Sequence, residues 1–138
     1  MKKHTYLLVS FILVLFLSCK ENTKNESPTQ MQNVIQIHDE LMAKMGTIST
    51  LINQVDTKIQ ETDSTEALVT ASKNLKEAND AMMNWMVGFS LRFDSEEVMQ
   101  GKPLTEEKQK LLDEEETKIK ALRDQMLSSI ETAEKILE

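Results

Sequence analysis

Apolar residues recur at alternating steps of three and four along most of the chain. Residues spaced in this way lie on one face of a helix and form a heptad seam, so each series predicts an amphipathic helix. The first series carries a histidine, His38, at one of its positions. The three series are Val34, His38, Leu41, Met45, Ile48, Ile52, Val55 and Ile59; Leu68, Ala71, Leu75, Ala78, Met82, Trp85 and Phe89; and Leu112, Ile119, Leu122, Met126, Ile130, Ala133 and Leu137.

Capping residues predict where the helices begin. Ser27-Pro28-Thr29-Gln30 combines an N-cap serine with proline at the first helical position, and the first helix is expected to run from there to about Glu61. Asp63-Ser64-Thr65-Glu66 predicts the start of the second helix, with the aspartate or the serine as its cap. Thr105 is expected to cap the third helix, because acidic residues follow it in the first turn.

These elements predict an all-α fold, an antiparallel up-down-up three-helix bundle with heptad seams. The chain has only 3 Gly and 2 Pro, so few residues favour tight turns. Between helices two and three, Asp94-Ser95-Glu96-Glu97 predicts a short extra turn that Gly101 ends. Val98 and Met99 on this turn are expected to fold back over the end of the bundle.

The first residues predict a bacterial lipoprotein signal. Lys2 and Lys3 precede a short apolar run that ends at Leu17-Ser18-Cys19, and a small residue before a cysteine is typical of lipidation at that cysteine. A plain secretory signal or a signal anchor is the alternative. The predicted organisation is a signal peptide over 1–18, a flexible tether with lipidated Cys19 over 19–27, and a helical bundle domain over 28–138. The expected location is the bacterial cell envelope, with the outer membrane as the membrane that holds the lipid.

Charge and cysteine content narrow the partners and the chemistry. Without Lys2 and Lys3, the mature chain has 14 basic and 23 acidic side chains, a balance of −9. Such a surface repels phosphate backbones, so nucleic acid is not expected as a partner, and contact with the membrane is expected through the lipid. Cys19 is the only cysteine, which excludes a disulfide within the chain, thiolate catalysis and multi-cysteine metal sites.

Two stretches of the chain resemble a known family. Ile37-His38-Asp39-Glu40-Leu41-Met42-Ala43-Lys44-Met45 and Ala81-Met82-Met83-Asn84-Trp85-Met86, followed by Phe89, are similar to short helical lipoproteins of the Bacteroidota, some of which are labelled "viral A-type inclusion protein". The resemblance implies a small helical lipoprotein of uncharacterised function, without catalytic residues to carry over. Ala43 stands where the family motif has a proline.

His38 has two interpretations that lead to different chemistry. As a polar residue on a heptad seam, it is expected to fix the register of the helices and to bond to a neighbour such as Glu115. As a metal ligand, it would act with thioethers on the same face and on the facing helix, a combination that suits Cu(I). The copper site would consist of His38, Met42, Met45, Met82 and Met86.

A third interpretation is a binding surface at the end of the bundle that holds His38. The second helix is apolar nearly all round at this level, and the third helix offers few apolar residues to cover it. The surface would bind a protein partner or form a homodimer. The candidate patch consists of Met42, Met45, Met82, Trp85, Met86, Phe89 and Phe93.

The residue inventory predicts that the protein is not an enzyme and needs no cofactor, with copper as the alternative. A nucleophile and base are hard to assemble from the mature chain. Asp39 is not expected to pair with His38, because neighbouring residues on a helix point about 100° apart. We therefore expect a lipid-anchored, non-enzymatic interaction or structural module of the cell envelope, with a periplasmic Cu(I)-binding protein as the alternative.

Overall fold

A computed structural model describes residues 29–62 and 65–138. This part of the chain is all-helical and contains no strand, which confirms the predicted fold class. The predicted signal peptide, Cys19 and the tether lie outside the described residues. None of the helices described is long and apolar enough to cross a membrane. The helices are α1 (Gln30–Met42), α2 (Met45–Glu61), α3 (Glu66–Arg92), α4 (Ser95–Met99) and α5 (Glu106–Leu137).

Threonines cap two of the helices at positions that differ from the prediction. The Thr29 side chain accepts from the backbone N–H of Gln32, whose side chain accepts from the Thr29 N–H in return. This capping box starts α1 two residues later than the sequence predicted, and Ser27 lies outside the described residues. At α3 the cap is Thr65, which accepts from the Leu68 N–H, and the predicted caps Asp63 and Ser64 lie outside the described residues.

The start of α5 and the short turn before it agree with the prediction. Thr105 caps α5 by accepting from the backbone N–H of Lys108. Asp94 caps α4 in a capping box with Glu97, and Gly101 ends this segment with a φ of 69°, in the left-handed region that glycine adopts without strain. Of the two apolar residues on the turn, Val98 packs against the core. Met99 is 80% exposed, so the prediction that it also folds back over the end of the bundle is wrong.

The first long helix is broken at Ala43 and Lys44, where the sequence predicted one continuous helix. The Lys44 N–H donates to the Leu41 carbonyl at 2.9 Å, an i to i−3 bond that tightens the backbone locally. Ala43 keeps a right-handed helical conformation, with φ −64° and ψ −20°. The break therefore occurs where the resembled family has a proline, although alanine stands here.

Side chains of the predicted seams meet in one core. Every seam position of α3 is buried, from Leu68 to Phe89. Along α1 and α2, buried positions alternate with half-buried ones such as His38 and Met45. In α5 the carboxylate Glu115 occupies a buried position between Leu112 and Ile119. The fully or nearly fully buried seam residues of α1, α2 and α5 are Val34, Leu41, Ile48, Val55, Leu112, Ile119, Leu122, Met126, Ile130 and Ala133.

The two halves of the broken helix pack differently. Both α1 and α2 pack against α5, and α2 also packs against α3. α1 and α3 have at most marginal contact between their backbones. The break at Ala43 and Lys44 thus separates a segment that packs closely on α3 from one that does not.

Candidate binding groove

An open groove of about 330 Å³ lies between α1 and α3, on the side where these two helices do not pack closely. The short helix α4 borders it. Its walls are mostly apolar, and a few polar side chains stand among them. The lining residues are Ile35, His38, Trp85, Met86, Phe89, Ser90, Phe93, Asp94, Ser95, Val98 and Met99.

A row of aromatic rings forms one wall of the groove. Trp85, Phe89 and Phe93 follow one another at intervals of four residues, so they lie along one face of α3 and just beyond its end. The ring centroids of Trp85 and Phe89 are 4.8 Å apart, and those of Phe89 and Phe93 are 4.9 Å apart. His38 extends the row from α1, with its ring centroid 5.8 Å from that of Trp85. The four rings join α1 to α3 at a level where their backbones stand apart.

His38 has a different partner from the one the sequence suggested. Its Nδ1 lies 2.8 Å from Asp39 Oδ1, and its side chain is 23% exposed. The prediction that Asp39 cannot pair with His38 is therefore wrong, because a half-exposed imidazole leaves room for the solvent-exposed carboxylate to turn back towards it. Glu115 is not the partner, since Lys118 and Arg92 hold its carboxylate at 2.8 and 3.1 Å.

The five residues of the predicted copper site are distributed over different surroundings. His38 and Met86 line the groove together. Met82 is completely buried in the core, whereas Met42 is 38% exposed, and neither Met42 nor Met45 lines the groove. Among residues 29–62 and 65–138, no three His, Cys, Asp or Glu side chains come together as metal ligands. The structure thus brings two of the five candidate ligands to one place.

The predicted partner patch is mostly buried. Trp85, Phe89 and Phe93 are each 7% exposed or less, and Met82 is not exposed at all. Only Met42, Met45 and Met86 of that set reach the surface substantially. The large apolar side chains that are exposed at this level lie off the seam of α3. They are Met83, Val87 and Leu91, together with Met99 on α4.

The sequence shows that α3 is apolar nearly all round towards its end, but the predicted patch was drawn mainly from the seam residues. These seam residues are buried in the core of the bundle. The useful signal was the set of apolar positions left over after the seam had been assigned, namely Met83, Val87 and Leu91.

Carboxylates fix the short helix that borders the groove. Asp94 accepts from the backbone N–H groups of Glu96 and Glu97, at 3.0 Å each, and the bond from Glu97 holds the pKa of Asp94 below its ordinary value. Glu97 accepts from Lys108 Nζ at 2.6 Å, and this bond lowers the pKa of Glu97. Both acids therefore stabilise α4 in their charged form.

A second groove, of about 510 Å³, lies on the other side of Trp85, between α3 and α5. It is lined by the ion-paired side chains of Arg92, Glu115 and Lys118. Trp85 Nε1 is buried and has no hydrogen-bond partner. Because Arg92 and Lys118 in this second groove already pair with carboxylates, the apolar groove between α1 and α3 is the better candidate binding site.

No family model, no protein of curated function and no solved structure matched this chain. The function of the groove therefore has to be inferred from the side chains that line it.

Proposed function

We propose that this chain is a lipid-anchored, non-enzymatic helical module of the bacterial cell envelope, of the kind that the Bacteroidota lipoproteins represent. Its groove between α1 and α3 binds an apolar segment of a partner protein. The observation that carries this proposal is the open groove itself, in which partly exposed apolar side chains such as Ile35 and Met86 lie beside a row of buried aromatic rings. Exposed apolar surfaces of this kind commonly mark sites where a partner or ligand binds. Ligand pockets typically have volumes of about 300–1,000 Å³, mostly apolar walls and a few polar groups.

We also propose that the helices form an antiparallel up-down-up three-helix bundle, with α1 and α2 together as the first helix. Contacts at both ends support this arrangement. Gln30 at the start of α1 donates to Glu116 of α5 at 2.7 Å, and Arg92 at the end of α3 pairs with Glu114 of α5 at 2.8 Å. At the opposite end, Lys58 Nζ of α2 donates to the Ile136 carbonyl of α5 at 3.0 Å.

Partial exposure of the groove walls supports binding over a purely structural role. Full burial of a Leu, Met or Phe side chain is worth about 1.5–3 kcal/mol relative to full exposure. Ile35 and Met86 on the groove walls are only partly buried, so a partner that covers them recovers part of that amount for each. Several such side chains together support an interface after the cost of association has been subtracted.

The anchor rests on Cys19 and is tested separately from the groove. In bacteria that produce the full chain, we expect a mature protein whose mass includes a lipid on Cys19, recovered with the membranes. Replacement Cys19→Ala should remove the added mass and release the protein from the membrane fraction. A wild-type protein that keeps a free thiol at Cys19 would contradict the anchor while leaving the groove untested by that experiment.

The groove is tested by a photo-crosslinking residue at Ser90, which is exposed and lines it. The matched control is the same residue at Ser128, which is exposed on α5 and does not line the groove. We expect a defined protein adduct from position 90 in envelopes, absent from position 128. Replacing Ile35 on the facing wall by arginine should weaken that adduct.

Equal crosslinking from both positions would argue against a groove-specific partner. An adduct whose mass equals two copies of this chain would show that a second copy of the chain, and not a different protein, contacts the groove. Copper remains the alternative ligand of this end, with His38 and Met86 as the two groove residues that favour it.

A further inference from the structure

The outward face of α3 changes character along its length. Residues four apart on a helix lie nearly above one another, and Met83, Val87 and Leu91 form such a row. Their exposure rises towards the end of the helix, from 48% to 60% to 82%. The outward positions before them are charged and exposed, as Lys76 and Asp80 show. The exposed apolar surface of α3 is therefore concentrated in its last turns, apart from Val69 near its start, which is 49% exposed.

These last turns lie at the end of the molecule where the described chain begins. Thr29 lines a small cavity together with Glu97, Gly101 and Lys102, so the start of α1 is next to α4. Met99 of α4 is 80% exposed and lines the binding groove with Ser90, the neighbour of Leu91. We call Val87, Leu91 and Met99 the apolar tip.

We propose that the apolar tip rests on the surface of a lipid bilayer, so that the protein touches its membrane at a second place besides the anchor. The inference rests on the proposed lipid at Cys19. Ten residues lead from Cys19 to Thr29, and a chain of that length spans at most about 33–36 Å. The anchor therefore keeps the tip within reach of the bilayer that holds the lipid.

The anchor's own acyl chain is not expected to fill the groove. The apolar tip, in contrast, is well placed to contact the lipid surface. An acyl chain in the bilayer is surrounded by other chains on every side, whereas the groove is open to solvent along its length. Moving the chain into the groove would return part of it to water, which the hydrophobic effect opposes. Side chains that protrude from the surface, such as Leu91, lose exposed area by sinking into the interface instead.

The charges around the tip indicate which lipids suit it. Asp94, Glu96, Glu106 and Glu107 surround this end with exposed carboxylates, partly offset by Lys102. Contact with the bilayer should therefore depend on apolar insertion into a zwitterionic surface, and not on attraction to anionic headgroups. Salt should change it little, because screening acts on charges and not on apolar contact.

The experiment uses the mature lipidated protein in phosphatidylcholine vesicles. In the lipidated protein the Cys19 sulfur carries the lipid, so an introduced cysteine is the only free thiol. Leu91→Cys and Met99→Cys report on the tip, and Leu127→Cys, which is 43% exposed on α5, is the matched control. Each cysteine carries a polarity-sensitive fluorophore, and the vesicles contain a phospholipid with a spin-labelled acyl chain as the quencher.

We expect blue-shifted emission at positions 91 and 99 and several-fold stronger quenching there than at position 127, unchanged at high salt. Quenching equal to that at position 127 would overturn the proposal. Blue-shifted emission without lipid quenching that grows with protein density would also overturn it, in favour of a contact between two copies. Intact mass of the same samples reports lipidation of Cys19 independently, so loss of the anchor is distinguishable from absence of the tip contact.

Discussion

Glu115 is a charged residue on the apolar seam of α5, and its replacement tests how the core tolerates that charge. Its side chain is 3% exposed, whereas those of its partners Arg92 and Lys118 are 31% and 51% exposed. Both cations contact the same oxygen, Oε1. The carboxylate is thus desolvated while its partners remain in contact with water. We expect the substitution Glu115→Leu to be tolerated and removal of both partners to be harmful.

The two replacements are expected to change the free energy of unfolding in opposite directions. Replacing a buried ion group by an apolar side chain of similar volume is often neutral or stabilising by about 1–4 kcal/mol. Because Arg92 and Lys118 are partly solvated, we expect Glu115→Leu to change the free energy of unfolding by between about 0 and +2 kcal/mol. Removing both cations leaves a buried charge without a partner, and Arg92→Ala with Lys118→Ala should cost about 2–4 kcal/mol.

Urea unfolding followed by circular dichroism measures these changes, provided that the slope of free energy against urea stays the same. Lys118→Ala alone is the control, and it should cost less than about 1 kcal/mol because Arg92 still neutralises the carboxylate. Suppose instead that Glu115→Leu destabilises the protein by more than about 2 kcal/mol while the double alanine variant is near neutral. The charge would then be a net source of stability, and the reasoning would be refuted.

Three further predictions concern the core at Met82, the acids that cap α4, and copper binding in the groove. Met82→Ala should lower the free energy of unfolding by about 2–5 kcal/mol through a core cavity, whereas Met83→Ala, its exposed neighbour, should change it by less than about 0.5 kcal/mol. The lowered pKa values of Asp94 and Glu97 mean that their charged forms stabilise α4 above the ordinary values of 3.8 and 4.5. This contribution is lost as the pH falls through the lowered values, so amide hydrogen exchange in α4, corrected for its intrinsic pH dependence, should show falling protection on acidification. Cu(I) titration against a chelator should give an affinity that His38→Ala lowers at least about tenfold if copper binds in the groove; equal affinity would remove this site.

The sequence predicted the helices well because their information is local. Capping by Thr105 and by Asp94 depends on residues three positions away, and the apolar period of α3 is visible without knowledge of its partners. The break at Ala43 was not predicted in this chain, because neither residue at the break is a proline or a glycine. Alanine has the highest helix propensity, so a local signal favours continuation there.

The candidate site was harder to predict, because exposure depends on where neighbouring helices end. The sequence predicted Trp85 at the end of the bundle that holds His38, and their rings are 5.8 Å apart. The sequence predicted a binding patch that includes the seam positions Trp85 and Phe89, but the core buries both. Residues such as Leu91 form the exposed surface instead. The pattern within one helix does not show which of its apolar faces the neighbouring helices will cover.

His38, the polar residue on the seam of the first helix, lies where α1 and α3 stand apart. An imidazole that is fully buried without a partner costs about 1–3 kcal/mol, and the ring of His38 lies beside that of Trp85 on α3. With α1 and α3 apart, His38 keeps its contact with water and with Asp39, while Val34 and Leu41 remain buried. The same separation leaves the groove beside His38 open.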